Sequence, residues 1–133
     1  MSWVEIFVVF LLSHFVGDYL LQTDWEARNK RGGLSRRNLE SRRALVTHVT
    51  TYTLAFIPAG IWLHRLGGGL ALLALGIFVP HLIQDDGRVL MRYVRLVKGD
   101  GAASNQTVFA QVDQTFHFLV LFATAIVVHA TLP

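Results

Sequence analysis

The sequence predicts an all-α, four-helix transmembrane bundle, up-down antiparallel, with both termini outside. Three observations predict it. Four apolar stretches divide the 133 residues, at about 3–22, 44–63, 66–86 and 108–132, each near the ~20 residues that cross a bilayer core. Hydrophobic residues make up 53%, charged residues 16%, and mean hydropathy is +0.44, well off the average of soluble chains. The basic residues are also sorted by loop. Arg28, Lys30, Arg31, Arg36, Arg37, Arg42 and Arg43 fall in the first connection, only Arg65 in the second, and Arg88, Arg92, Arg95 and Lys98 in the third. The positive-inside rule therefore places the first and third connections in the cytoplasm, including the basic loop at 23–43.

Each element follows from these facts. The first segment lacks a basic leader and carries His14 and Asp18, so it reads as a retained span and not a cleaved signal. The second and third segments contain Pro58 and Pro80. Each removes a backbone N–H, and Pro80 frees the carbonyl of Gly76 and predicts a kink. The third segment is expected to continue as an interfacial helix to Lys98. Trp3, Trp25 and Trp62 stand at segment ends, as an aromatic belt requires. Small residues such as Gly17, Gly60, Ala74 and Gly76 are expected at helix contacts. The length allows one domain, 1–133. There is no cysteine, which excludes disulfides and thiolate metal sites. The basic pI of 9.8 arises in orientation-setting loops and gives no reason to expect a nucleic-acid partner. The Asn105-Gln-Thr107 sequon falls on the cytoplasmic side.

At a matching depth in these apolar segments stand four histidines and three aspartates, His14/Asp18, His48, His81/Asp85 and Asp113/His117. Residues i and i+4 share a helix face. Ionisable groups in lipid are costly and normally face a bundle interior. With the topology above, all seven fall in the cytoplasmic half, roughly 2–14 Å from the inner boundary at 1.5 Å rise per residue. Imidazole and carboxylate are ligands of zinc, manganese and iron, and helix bundles commonly present them inward. The set exceeds the needs of one catalytic zinc and suits one or two divalent ions. Gln22, Tyr52 and Gln114 share these faces and are expected to orient the ligands or meet substrate. Lys30 and Arg88 are expected to contact substrate or lipid. His64, His129, Glu5 and Asp86 stand near segment ends and are expected to have no role in the site. The competing readings of the set are hydrogen-bonded struts without metal, and haem, which leaves the aspartates unexplained.

The run His14-Phe-Val-Gly-Asp18-Tyr-Leu-Leu-Gln22-Thr-Asp24-Trp25 with Lys30, the lone His48, His81 with Asp85, and Asp113-Gln114-Thr-Phe-His117 resemble one family. It is the small bacterial membrane-protein family catalogued as domain of unknown function 3307. The resemblance covers nearly the whole chain and implies that these residues form a functional set, without naming an activity. Arg88 stands where such proteins often carry a lysine. A looser similarity, in architecture alone, links the chain to membrane-bound metal-dependent hydrolases.

The expected function is that of a metal-dependent hydrolase in the cytoplasmic (inner) membrane, acting on a lipid-linked or phosphorylated substrate at the cytoplasmic leaflet. His14, His48, His81 and His117 are the expected ligands, and Asp18, Asp85 and Asp113 ligands or general base. The alternatives are a divalent-metal transporter or metal-binding subunit, a di-iron lipid oxidase, and an accessory subunit without chemistry. The expected partners are membrane lipids, with a homodimer compatible with so small a chain.

Overall fold

The computed structural model describes residues 2–35, 37–63, 71 and 73–131, the side chain of Leu73 excepted. Arg36, His64, Arg65, most of the first third of the expected third segment, and Leu132 lie outside the described residues. Among those described the chain is all-α, with no strand.

Helix α1 runs over Trp3–Phe15 and continues without a break as a π-helical stretch, Val16–Leu21. Its start is fixed by a reciprocal capping box. Ser2 Oγ accepts from the Glu5 amide at 3.3 Å, and the Glu5 carboxylate accepts from the Ser2 amide at 2.7 Å. Thr23 and Glu26 repeat the device at the start of α2, Asp24–Asn29. Asn38 caps α3, Leu39–Leu54, by accepting from the amides of Glu40 and Ser41. The helix thus begins before residue 44, the expected segment start. Its first turns are polar, and hydropathy marks the apolar part of a helix, not its cap.

Pro58 acts where expected. It leaves the Leu54 carbonyl without its helical donor, and the chain bends by 41° between α3 and α4, Ile57–Leu63. A second π-helical stretch, Leu73–Phe78, leads into α5, Val79–Asp86. The Gly76 carbonyl accepts from Thr124 Oγ1 at 3.3 Å, so a neighbouring helix satisfies the group freed by Pro80. Gly87, at φ +74°, ends α5 in the left-handed region. Helix α6, Arg88–Lys98, follows, then a short α7, Asp100–Ser104. The side chain of Asn105 caps α8, Gln106–Thr131, by accepting from Thr107 and Val108. The asparagine of the sequon is therefore a helix cap.

Helix α1 packs along α8, and α3 packs on the π stretch after α1 and on α5. The main core joins Ile6, Phe10, Phe56, Leu63, Ile77 and Leu121, with Tyr52 at its end nearest the ionisable groups. Gly17 and Gly60 are buried as expected, and Gly17 sits directly against Tyr52. Ala74, also expected at a contact, is exposed among the described residues. Val8, Leu12, Leu20, Ile61, Leu75 and Leu119 project outward. Trp3–Leu21 and Gln106–Thr131 are each long and apolar enough to cross a membrane, and the bent pair α3–α4 makes a third candidate span.

Candidate metal centre

The site forms where four helical stretches converge at the end of the core. The π stretch supplies Asp18, α3 supplies His48, α5 supplies His81 and Asp85, and α8 supplies Asp113, Gln114 and His117. Asp18 lies within a wide π turn, a feature frequent at functional sites. There its carboxylate reaches α3 and α5 as well as its neighbour His14.

Four ligand atoms draw together. His48 Nε2 lies 3.1 Å from His81 Nε2, 3.2 Å from Asp18 Oδ1 and 2.9 Å from Asp85 Oδ2. His81 Nε2 lies 3.5 Å from Asp18 Oδ1 and 3.2 Å from Asp85 Oδ2. Ligands bound at about 2.0–2.1 Å in a regular tetrahedron stand about 3.3 Å from one another. Two imidazole nitrogens and two carboxylate oxygens at these spacings fit one tetrahedral divalent ion.

Asp85 extends the group. Its other oxygen, Oδ1, lies 3.3 Å from His117 Nε2, and Asp85, Asp113 and His117 form a second set able to hold an ion. A carboxylate shared by two sets is what a two-metal centre uses. Buried polar atoms normally have hydrogen-bond partners. Asp18 Oδ1, Asp85 Oδ1 and His117 Nε2 have none among the described residues. Each stands 3.2–3.5 Å from another ligand atom without bonding to it, as lone pairs aimed at a common point would.

The supporting contacts are specific. His117 Nδ1 donates to the Asp113 carbonyl at 2.8 Å, which leaves Nε2 as the ligand nitrogen. Tyr52 stacks on His81 with centroids 3.4 Å apart and planes within 4°. That stacking fixes the His81 ring, whose Nδ1 has no hydrogen-bond partner among the described residues. His14 belongs to neither set. Its Nδ1 lies 3.0 Å from the Tyr52 hydroxyl and its Nε2 2.9 Å from Gln114 Oε1. Gln114 Nε2 then donates to Asp18 Oδ2 at 3.5 Å. One tautomer satisfies this chain: Tyr52 donates to His14, His14 donates to Gln114, and Gln114 donates to Asp18. His14 thus stands outside both candidate ligand sets, with both ring nitrogens bonded.

A difference in metal affinity should follow. His14→Ala is expected to weaken binding about 10–100-fold, the usual cost of losing an outer partner. His48→Ala removes a ligand atom and should cost more. Titration of both variants with zinc, followed by calorimetry, checks the order.

Lys30 enters the site from the basic loop. Its Nζ lies 2.7 Å from Asp85 Oδ2, with 14% of the side chain exposed. The loop is held down by Asp86. The Asp86 carbonyl accepts from Gly32 N, and its carboxylate accepts from Leu34 N and Arg88 Nε. Gly33 lies so close to α3 that a Cβ there would meet the Ser41 carbonyl at 2.5 Å. Asp86, expected to have no role, anchors the loop that delivers Lys30. Its signal was the Asp86-Gly87 turn pair. Arg88 is engaged with Asp86 and lies outside both ligand sets. A cavity of about 320 Å³ adjoins the ligands, lined by Asp18, Gln22, Lys30, Asp85, Asp113 and Gln114 among others. Gln22 Nε2 is buried there without a hydrogen-bond partner among the described residues.

The sequence profile of the family described as "Protein of unknown function (DUF3307)" matches residues 6–132. The chain belongs to this family. No curated protein and no solved structure matches it. The matched span contains every residue of the two ligand sets of this DUF3307 protein, together with Lys30 and Tyr52.

Proposed function

We propose that this DUF3307 protein is a multi-pass metalloprotein of the cytoplasmic membrane, built as a four-span bundle. In this reading it is a metal-dependent hydrolase acting on a lipid-linked or phosphorylated substrate at the cytoplasmic leaflet. One observation carries the reading: four ligand atoms from three helical stretches stand at the spacing of a tetrahedral ion's ligands. His48, His81, Asp18 and Asp85 would hold the ion, with His117 and Asp113 completing a second position. When bound, a divalent ion supplies Lewis-acid polarisation and makes water more acidic.

The remaining roles follow from exposure and charge. Asp113 is the most open of the three aspartates, its side chain 22% exposed against 6% for Asp18 and 1% for Asp85. It lines the cavity and is suited to take a proton from water there. Lys30, on the same cavity wall, supplies a cation for a phosphate oxygen. Gln22 Nε2 offers a donor for another substrate oxygen.

Transport has less support. A permeation path needs polar groups through the membrane. The buried cluster described beyond Tyr52, from Phe10 and Phe56 to Leu63 and Val128, is apolar, and the part-buried Thr124 hydroxyl beside it is bonded to the Gly76 carbonyl.

The test uses protein in proteoliposomes loaded with zinc or manganese, with p-nitrophenyl phosphate and bis(p-nitrophenyl) phosphate as probes. Metal-dependent turnover, lost in Asp113→Asn while the ion held by His48, His81, Asp18 and Asp85 is retained, supports the reading. An inert protein that carries zinc across the bilayer overturns it. Lys30→Met has a signed expectation. It removes a cation beside Asp85, so metal should bind at least as tightly while turnover of the phosphorylated probe falls about 100-fold. Metal titration beside a turnover assay checks both halves.

A further inference from the structure

Outside the metal centre, helix α6 carries two stripes side by side. Arg88, Arg92 and Arg95 recur at i, i+4 and i+7 and share one face. Val89, Tyr93 and Leu96 follow one position later, all exposed. Leu90 and Val94 on the third side are buried with Phe109 of α8. Between this helix and the turn at Arg31 and Gly32 opens a cleft of about 540 Å³. Four arginines, Arg31, Arg88, Arg92 and Arg95, line it together with the apolar Met91, Leu96 and Phe109.

The charges in this cleft are poorly balanced. Asp86 is the one carboxylate in the lining, and it pairs with Arg88 Nε at 2.6 Å. Arg95 reaches Asp100 only at 3.9 Å, where Asp100 is almost fully exposed. Arg31 lies over the Phe109 ring at 4.4 Å, a cation–π contact that leaves its N–H groups free for an anion. Arg92 has no ion pair among the described residues. Guanidinium forks match phosphate oxygens in pairs. An amphipathic helix with basic and apolar stripes lies in the plane of a membrane surface, its apolar side in the acyl boundary.

We infer that this cleft binds the phosphate of an anionic membrane-lipid headgroup. The apolar stripe of Val89, Tyr93 and Leu96 beside the arginines selects a lipid over a soluble phosphate. Arg31 and Gly87 line both this cleft and the metal cavity, so a lipid held here lies against the wall of the metal centre. The inference rests on the membrane placement proposed above and not on the metal.

Native mass spectrometry of the protein in non-ionic detergent tests it, with phosphatidylglycerol, phosphatidylcholine and inorganic phosphate as separate probes. Retention of phosphatidylglycerol over phosphatidylcholine is expected. Arg92→Gln with Arg95→Gln should lower that retention about tenfold. Arg42→Gln with Arg43→Gln makes the same charge change on α3, outside the cleft, and should alter it by less than about threefold. Circular dichroism reports whether each variant folds. Arg92→Lys with Arg95→Lys, which keeps the charge and removes the fork, should give an intermediate loss and decides the matter if the glutamine pair does not fold. Equal losses from both glutamine pairs would mean surface charge alone and overturn the assignment. Binding of inorganic phosphate without lipid preference would overturn the lipid as source. Release of the protein from membranes by alkaline carbonate would instead sink the membrane placement itself.

Discussion

Asp85→Asn is expected to weaken metal binding at least about 100-fold, because one side chain serves both ligand sets. Oδ2 stands 2.9 Å from His48 and 3.2 Å from His81, and Oδ1 stands 3.3 Å from His117. Asparagine keeps the volume and loses the charge, and it turns one oxygen into a donor. It can ligate on one side only. The same change strips Lys30 of its carboxylate partner. Breaking a buried pair on one side costs roughly 3–5 kcal/mol, and the partial exposure of Lys30 reduces this to about 2 kcal/mol. Calorimetric metal titration should show the lost affinity, and denaturant unfolding in detergent the lost stability. Unchanged affinity would remove Asp85 from the site.

Gly17→Val should have a large effect although it touches no ligand. A Cβ at Gly17 would stand 2.6 Å from Tyr52 Cδ2 and 3.2 Å from Tyr52 Cα. The ring could rotate away, but the backbone carbon could not, so the helices carrying Asp18 and His48 would have to part. Overpacking of this kind costs about 1–3 kcal/mol. The damage does not stop at the helix contact, since Tyr52 also stacks on His81 and bonds to His14. The variant should therefore unfold at lower temperature and bind metal about tenfold more weakly. Gly17→Ala should lie between it and the parent. Thermal unfolding with and without zinc gives both readings, and a variant as stable as the parent would show that this contact does not set the helix spacing.

How far the sequence could be read depends on whether a feature is local. The i, i+4 rule paired His14 with Asp18, His81 with Asp85 and Asp113 with His117, and these pairs stand at 3.7, 3.2 and 3.7 Å. For Asp18 and Asp85, however, the shortest contacts to a histidine run to His48 on another helix, at 3.2 and 2.9 Å. Spacing along one helix carries no such information. It also could not show that both nitrogens of His14 are taken by Tyr52 and Gln114, which removes that histidine from the ligand sets. Pro58 announced its bend, and Pro80 the freed Gly76 carbonyl, because a missing N–H is a local fact. The hydroxyl that answers Pro80 comes from Thr124, 48 residues from Gly76. The π stretch at Val16–Leu21 has no sequence pattern to announce it, and Gly17 within it packs against Tyr52 of another helix. The basic stretch at 28–43 read as a topology signal because charge is visible in composition. Its docking through Asp86, which carries Lys30 to Asp85, is tertiary.

The central claim is the metal, and elemental analysis of the detergent-purified protein tests it most directly. The account predicts one or two equivalents of zinc, manganese or iron, lost when His81→Ala and Asp85→Ala are combined. Protein that stays metal-free after incubation with each of these ions would contradict it and leave the histidines and aspartates as buried struts.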